Sequence, residues 1–129
     1  MTDEKKVLFL CDASDFDVVT ESFANYPEYH LTVETFEKIL RFGVKEYLDE
    51  TIERINNNPE MYDGIVGTHD SSAIIAAIIA QETGKRFASV DAVITCQNKY
   101  LCRRIQKQAV PEHAPQYAIA LDYLRNPYR

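Results

Sequence analysis

The side chains best able to do chemistry sit in two short polar turns, Asp12-Ala13-Ser14-Asp15 and Thr68-His69-Asp70-Ser71-Ser72. Together the turns offer carboxylates, an imidazole and hydroxyls, groups that suit the binding of a small polar molecule. Each turn follows an apolar run, Lys6–Cys11 and Gly64–Thr68, of the kind that forms a parallel strand covered on both faces. In an open α/β sheet, ligands bind outside the carboxyl ends of the strands, and both turns fall there.

Several chemistries are excluded. No Gly-x-Gly-x-x-Gly follows the first strand, and no Gly-x-x-x-x-Gly-Lys-Ser/Thr occurs anywhere. With 4 glycines in all, the chain has too few for a glycine-rich phosphate loop. His30, His69 and His113 lack metal-ligand spacing, and there is no Gly-x-Ser-x-Gly elbow. A phospho-acceptor receiver would use a comparable fold, and Asp12, Asp70 and Ser89 imitate part of its pattern. It would also need adjacent acids after the first strand and a lysine after the fifth, and this chain has neither.

The elements that must position the two turns alternate along the chain. Lys6–Cys11 leads to a short helix from Phe16 to Asn25, capped by Asp15 and stopped by Pro27. His30–Thr35 alternates apolar and polar residues, as a strand near a sheet edge does. Phe36–Gly43 reads as a loop with one helical turn. Val44, Tyr47, Leu48, Thr51, Ile52 and Ile55 then recur at helical spacing, ending at Asn56-Asn57-Asn58-Pro59. After the third strand, an almost wholly apolar helix begins near Ser71 or Ser72 and stops at Gly84. Arg86–Val90 reads as a fourth strand. Asp91 caps a long helix, Ala92–Gln108, and Tyr117–Leu121 is a fifth strand or the start of an extended linker. The expected fold is therefore α/β, an open, mostly parallel Rossmann-like sheet of four or five strands with helices on both faces.

The length, 129 residues, suits one domain, and the 46% of apolar residues can fill one core. A formal net charge of -6 argues against nucleic acid as a partner. Cys11, Cys96 and Cys102 are odd in number and have no Cys-x-x-Cys spacing, so all read as reduced thiols of a cytoplasmic protein. No window approaches a membrane span, and the N-terminus lacks a secretory signal.

The segment from Tyr62 onward resembles the N-terminal, pre-ATP-grasp domain of ATP-grasp ligases. The resemblance rests on the strand Asp63-Gly64-Ile65-Val66-Gly67, the turn His69-Asp70-Ser71-Ser72 and the apolar helix after it. It rests also on the helix carrying Asn98-Lys99 and on the bend Val110-Pro111-Glu112-His113-Ala114-Pro115. It implies a domain over 1–117, with 118–129 leading toward an ATP-grasp domain beyond Arg129. The parent enzyme would join a carboxylate to an amine or a thiol: ATP phosphorylates the carboxylate and the nucleophile displaces phosphate. ATP and Mg2+ would be held by that later domain, whose lysine, glycine-rich loop and acidic ligands have no counterpart in this chain. The present chain would supply substrate wall and no catalytic residue.

The resemblance also implies roles. The strand-end turns would face the interdomain cleft. Backbone N–H groups near Ser71 would hold a carboxylate or phosphate with help from the helix dipole, and the Ser71 and Ser72 hydroxyls would donate. His69 would supply a donor or a proton, and Asp12 and Asp70 would bind an amino group. Lys99 and Arg103, which with Lys107 form a basic stripe, would meet a nucleotide phosphate or an acidic surface of the partner domain. Simpler readings stand beside these: Ser71 and Ser72 as helix caps, Asp12 and Asp15 as turn and cap residues, the basic stripe as a solvated face. The competing function is a free-standing module that binds a small anion or another protein. A homodimer is compatible with either.

Overall fold

The computed structural model describes residues 3–117. These divide at Val93/Ile94 into two compact units.

The first unit is built on a three-stranded parallel sheet in the order β2-β1-β3. Its strands are β1 (Lys5–Cys11), β2 (Tyr29–Thr35) and β3 (Gly64–Gly67). The chain is thus α/β, as its alternating pattern implies, and β2 occupies a sheet edge. Among the described residues, fewer strands form than expected. Arg86 makes only an isolated bridge to Gly64. Ser89 then accepts a hydrogen bond from the Ala92 N–H at 3.1 Å, which turns the backbone into a helix at Val90 and ends any fourth strand. Of the expected fifth strand, Tyr117 lies in no strand and residues 118–121 lie outside the described residues.

Successive side chains of β1 point to opposite faces. Leu8 and Leu10 are fully buried on one face, in a core with Ile65. Three helices add to that core: α2 (Phe36–Phe42), α3 (Val44–Asn57) and α4 (Asp70–Thr83). Their contributions include Ile39, Tyr47, Ile55, Ile75 and Ile79. Each fully buried Leu or Ile contributes about 1.5–3 kcal/mol by leaving water. Phe9 and Cys11 take the other face. There α1 (Phe16–Phe23) sets Phe23 edge-on to Phe9, with ring centroids 5.9 Å apart.

The segment expected to be a loop with one helical turn is a seven-residue helix, α2. The Thr35 hydroxyl accepts from the Lys38 N–H at 3.4 Å and so starts it, and Glu34 pairs with Lys38 at 3.2 Å. α4 is buried along most of its length, as its composition requires, and Gly84 closes it in the left-handed conformation at φ 67°.

The second unit holds α6 (Lys99–Ala109). The single long helix expected over 92–108 is broken: α5 (Val90–Gln97) ends where the Asn98 side chain accepts from the Leu101 N–H at 3.0 Å and starts α6. Asn competes for backbone hydrogen bonds better at a cap than inside a helix. Tyr100 packs edge-on against Tyr117, 5.5 Å between centroids, with Arg104 over its ring.

At Gly67 the end of β3 lies close against the first turn of α4. A Cβ there would press into the Ser72 carbonyl and lie 2.8 Å from the Ala73 Cα, whereas one at Gly64 would meet nothing. Gly67→Ala should therefore cost about 1–3 kcal/mol in urea unfolding, the usual penalty of overpacking. Gly64→Ala should cost less than about 1 kcal/mol. Equal losses at the two positions would show that the close approach is not what selects glycine at position 67.

Candidate functional site

The register of the sheet brings the two polar turns together. Leu10 pairs with Gly67 across β1 and β3, and the Leu10 carbonyl accepts from the Thr68 N–H at 3.2 Å. Asp12 and His69 each lie two residues beyond that pair. His69 Nδ1 is 3.1 Å from Asp12 Oδ2, and Nε2 is 2.7 Å from Asp15 Oδ2. An imidazole thus sits between two carboxylates at the carboxyl ends of adjacent strands. The ring donates to both only when both nitrogens carry protons; a neutral ring serves one.

Local structure sets each partner. Asp12 is extended at the head of a 3-10 turn, Ala13–Asp15. Residues three apart eclipse in such a turn, so Asp12 and Asp15 project to the same side. The Ala13 N–H donates to Glu37 Oε2 at 2.8 Å, which ties this turn to the first turn of α2. On the other side, His69 is the N-cap of α4. Its backbone N–H donates to Ser72 Oγ at 3.0 Å, and that hydroxyl donates back to the His69 carbonyl at 3.3 Å.

The residues singled out from the sequence therefore occupy distinct places. Asp12 and His69 meet. Ser72 is fully buried and holds the His69 backbone. Ser71 and Asp70 are exposed in the first turn of α4. Contrary to expectation, Asp15 makes no side-chain cap to α1, because its carboxylate is turned to His69. It is the site residue that spacing missed, although the interval of three between Asp12 and Asp15 was a signal. Lys99 and Arg103 belong to the second unit. Lys99 is exposed, and Arg103 is half-buried and donates to Gln106 Oε1.

The side chains of His69, Asp12 and Asp15 are 48%, 28% and 39% exposed. Ion pairs open to water to this extent are worth about 0.2–1 kcal/mol each. The array therefore adds little to stability and keeps polar groups oriented at the surface. Among the described residues, no set of three or more His, Cys, Asp or Glu side chains is arranged to hold a metal ion. No helix among them is long and apolar enough to cross a membrane.

No family model, curated protein or solved structure matches this chain.

Beneath the array, Cys11 is fully buried. Burial pushes its thiol above the ordinary cysteine range, and Asp15, Asp12 and Glu37 push it the same way. A raised thiol stays protonated at pH 8, and the thiol is a poor nucleophile. With the disulfide reagent DTNB at pH 8, exposed Cys96 should react fast, half-buried Cys102 more slowly, and Cys11 only after unfolding. Prompt labelling of Cys11 in the native protein would contradict its enclosure.

Proposed function

We propose that this chain binds a small molecule bearing a protonated amine, and does so as the substrate-side, pre-ATP-grasp-like domain of an ATP-dependent ligase. The observation that carries the binding reading is the Asp12–His69–Asp15 array at the carboxyl ends of β1 and β3. With β1 central and β2 and β3 on either side, this is the point where the strand order reverses, the usual ligand crevice of open parallel sheets. The array is acidic: Asp12 and Asp15 flank the imidazole, and the Glu37 carboxylate binds the Ala13 N–H in the same turn. An ammonium group arriving there exchanges with His69 for a carboxylate and leaves the ring free to donate to, or take a proton from, the ligand.

The ligase reading deepens this one and rests on the resemblance carried by 62–117. In such an enzyme ATP and Mg2+ are held by the ATP-grasp domain, and the present residues orient the amine-bearing substrate beside it. A free-standing binding module would use the same array with no ATP chemistry around it.

The test is a 1H–15N NMR titration of the 129-residue chain with free amino acids and with their N-acetyl forms. Saturable shifts should cluster at the amides of Asp12, Asp15 and His69, and acetylation should abolish them. Asp15→Asn should weaken binding by about tenfold, the loss of one charge-assisted contact. Shifts that survive acetylation, or that avoid these amides, would sink the amine reading. His69→Ala should lower thermal stability by no more than about 1 kcal/mol. The chain alone should release no phosphate from ATP with any carboxylate, and robust ATPase activity would overturn the assignment of ATP chemistry to another domain.

A further inference from the structure

The two edges of the sheet differ in how they are guarded. β3 is four residues long, begins and ends with glycine, and meets Arg86 in a bridge at Gly64. β2 runs for seven residues and pairs with β1 over all of them without a bulge. Among the described residues, no strand pairs with its other side. Soluble proteins blunt such an edge with lysine, proline, a bulge or a very short strand. β2 reads Tyr-His-Leu-Thr-Val-Glu-Thr and uses none of these.

The backbone of β2 is set for a further strand. The Lys5 N–H donates to the Glu28 carbonyl at 2.7 Å, so position 28 faces β1. By alternation His30, Thr32 and Glu34 direct their backbone groups to β1, and Tyr29, Leu31, Val33 and Thr35 direct theirs outward. The Tyr26 carbonyl takes the Tyr29 N–H at 3.0 Å, consistent with that outward direction. Leu31 and Val33 therefore present a donor and an acceptor each to the open side.

The sequence of β2 is complementary to itself when two copies run antiparallel about an axis at Thr32. Leu31 then faces Val33 of the other copy, and the two exchange both backbone hydrogen bonds. Tyr29 faces Thr35, and all seven residues pair. His30 faces Glu34, so an imidazole donor meets a carboxylate. Glu34 already holds Lys38 at 3.2 Å and His30 lies 3.4 Å from Glu4, but a carboxylate accepts from more than one donor. Neighbouring registers are poorer. An axis at Leu31 sets Glu28 against Glu34, and like charges directly opposite repel. An axis at Val33 drops Tyr29 and His30 from the pairing.

We propose that β2 is a dimerisation edge, on which a second copy of this chain lays its own β2 antiparallel about a twofold axis at Thr32. The two sheets then continue into one. Thr32 faces its own copy in a pair without hydrogen bonds, where the Cα atoms stand about 4.5 Å apart. This surface shares no residue with the array around His69, so either reading can fail without the other.

Sedimentation equilibrium of the 129-residue chain, taken up to about 1 mM, should show a mass rising toward twice 14.8 kDa. Thr32→Lys places two ammonium groups against each other at the axis and should weaken the dimer about tenfold or more. Its urea midpoint should not move, because the Thr32 side chain is exposed. Thr32→Cys tests the register independently. In a Cys96→Ser, Cys102→Ser background it should form a disulfide between copies under mild oxidation, since the Cα spacing at the axis falls in the disulfide range. His30→Cys in the same background should not, because it faces Glu34. A chain that stays monomeric would leave the edge to a strand of some other protein and overturns the proposal. So does a dimer that Thr32→Lys leaves intact, or cross-linking of His30→Cys as readily as Thr32→Cys.

Discussion

The pairing of β1 along both of its edges is the constraint on which the rest depends. β1 meets β2 over all seven of its residues and β3 over four. A strand held on both sides cannot slip, since a shift of one residue would send Leu8 and Leu10 out of the core and Phe9 and Cys11 into it. The register is fixed again just before β3. There the Asp63 N–H donates to the Lys6 carbonyl at 2.7 Å, and the Asp63 carboxylate accepts from the Lys6 N–H at 2.8 Å. Everything beyond the carboxyl ends of β1 and β3 inherits that alignment, including the distances from His69 to Asp12 and Asp15.

Much of this architecture was legible in the residues. Continuous apolar runs marked β1 and β3, alternation marked the edge strand β2, and the spacing of Tyr47, Thr51 and Ile55 marked α3. What escaped was decided by short polar residues that act over one turn. Thr35 turned an ambiguous stretch into α2, Ser89 replaced a strand by a helix start, and Asn98 cut one helix into two. Each residue type is compatible with loop, cap or strand end, so its choice is made by what surrounds it in three dimensions.

The site was legible in a similar proportion. The two turns could be singled out because they end strands, but the meeting of Asp12 with His69 depends on the pairing of Leu10 with Gly67, which no local pattern specifies. Asp15 looked like a helix cap because aspartate before a helix usually is one. A carboxylate can satisfy a backbone N–H or an imidazole, and the nearer presence of His69 decided the competition. The close contact at Gly67 is a further case: it arises because the first turn of α4 lies tight against the end of β3, which no local pattern specifies.

The distance along the chain between β1 and β3 has a kinetic consequence. Lys6 and Asp63 are separated by 57 positions, and closing a loop of that length costs entropy before any contact compensates for it. Parallel pairings of this kind form slowly and late compared with local helices. The array around His69 therefore cannot exist in a partly folded chain that has only its helices and the β1–β2 ribbon. It forms only once β3 has paired with β1, and it is lost when β3 opens. Its occupancy by a ligand would accordingly report on, and hold shut, the whole first unit rather than one turn of it.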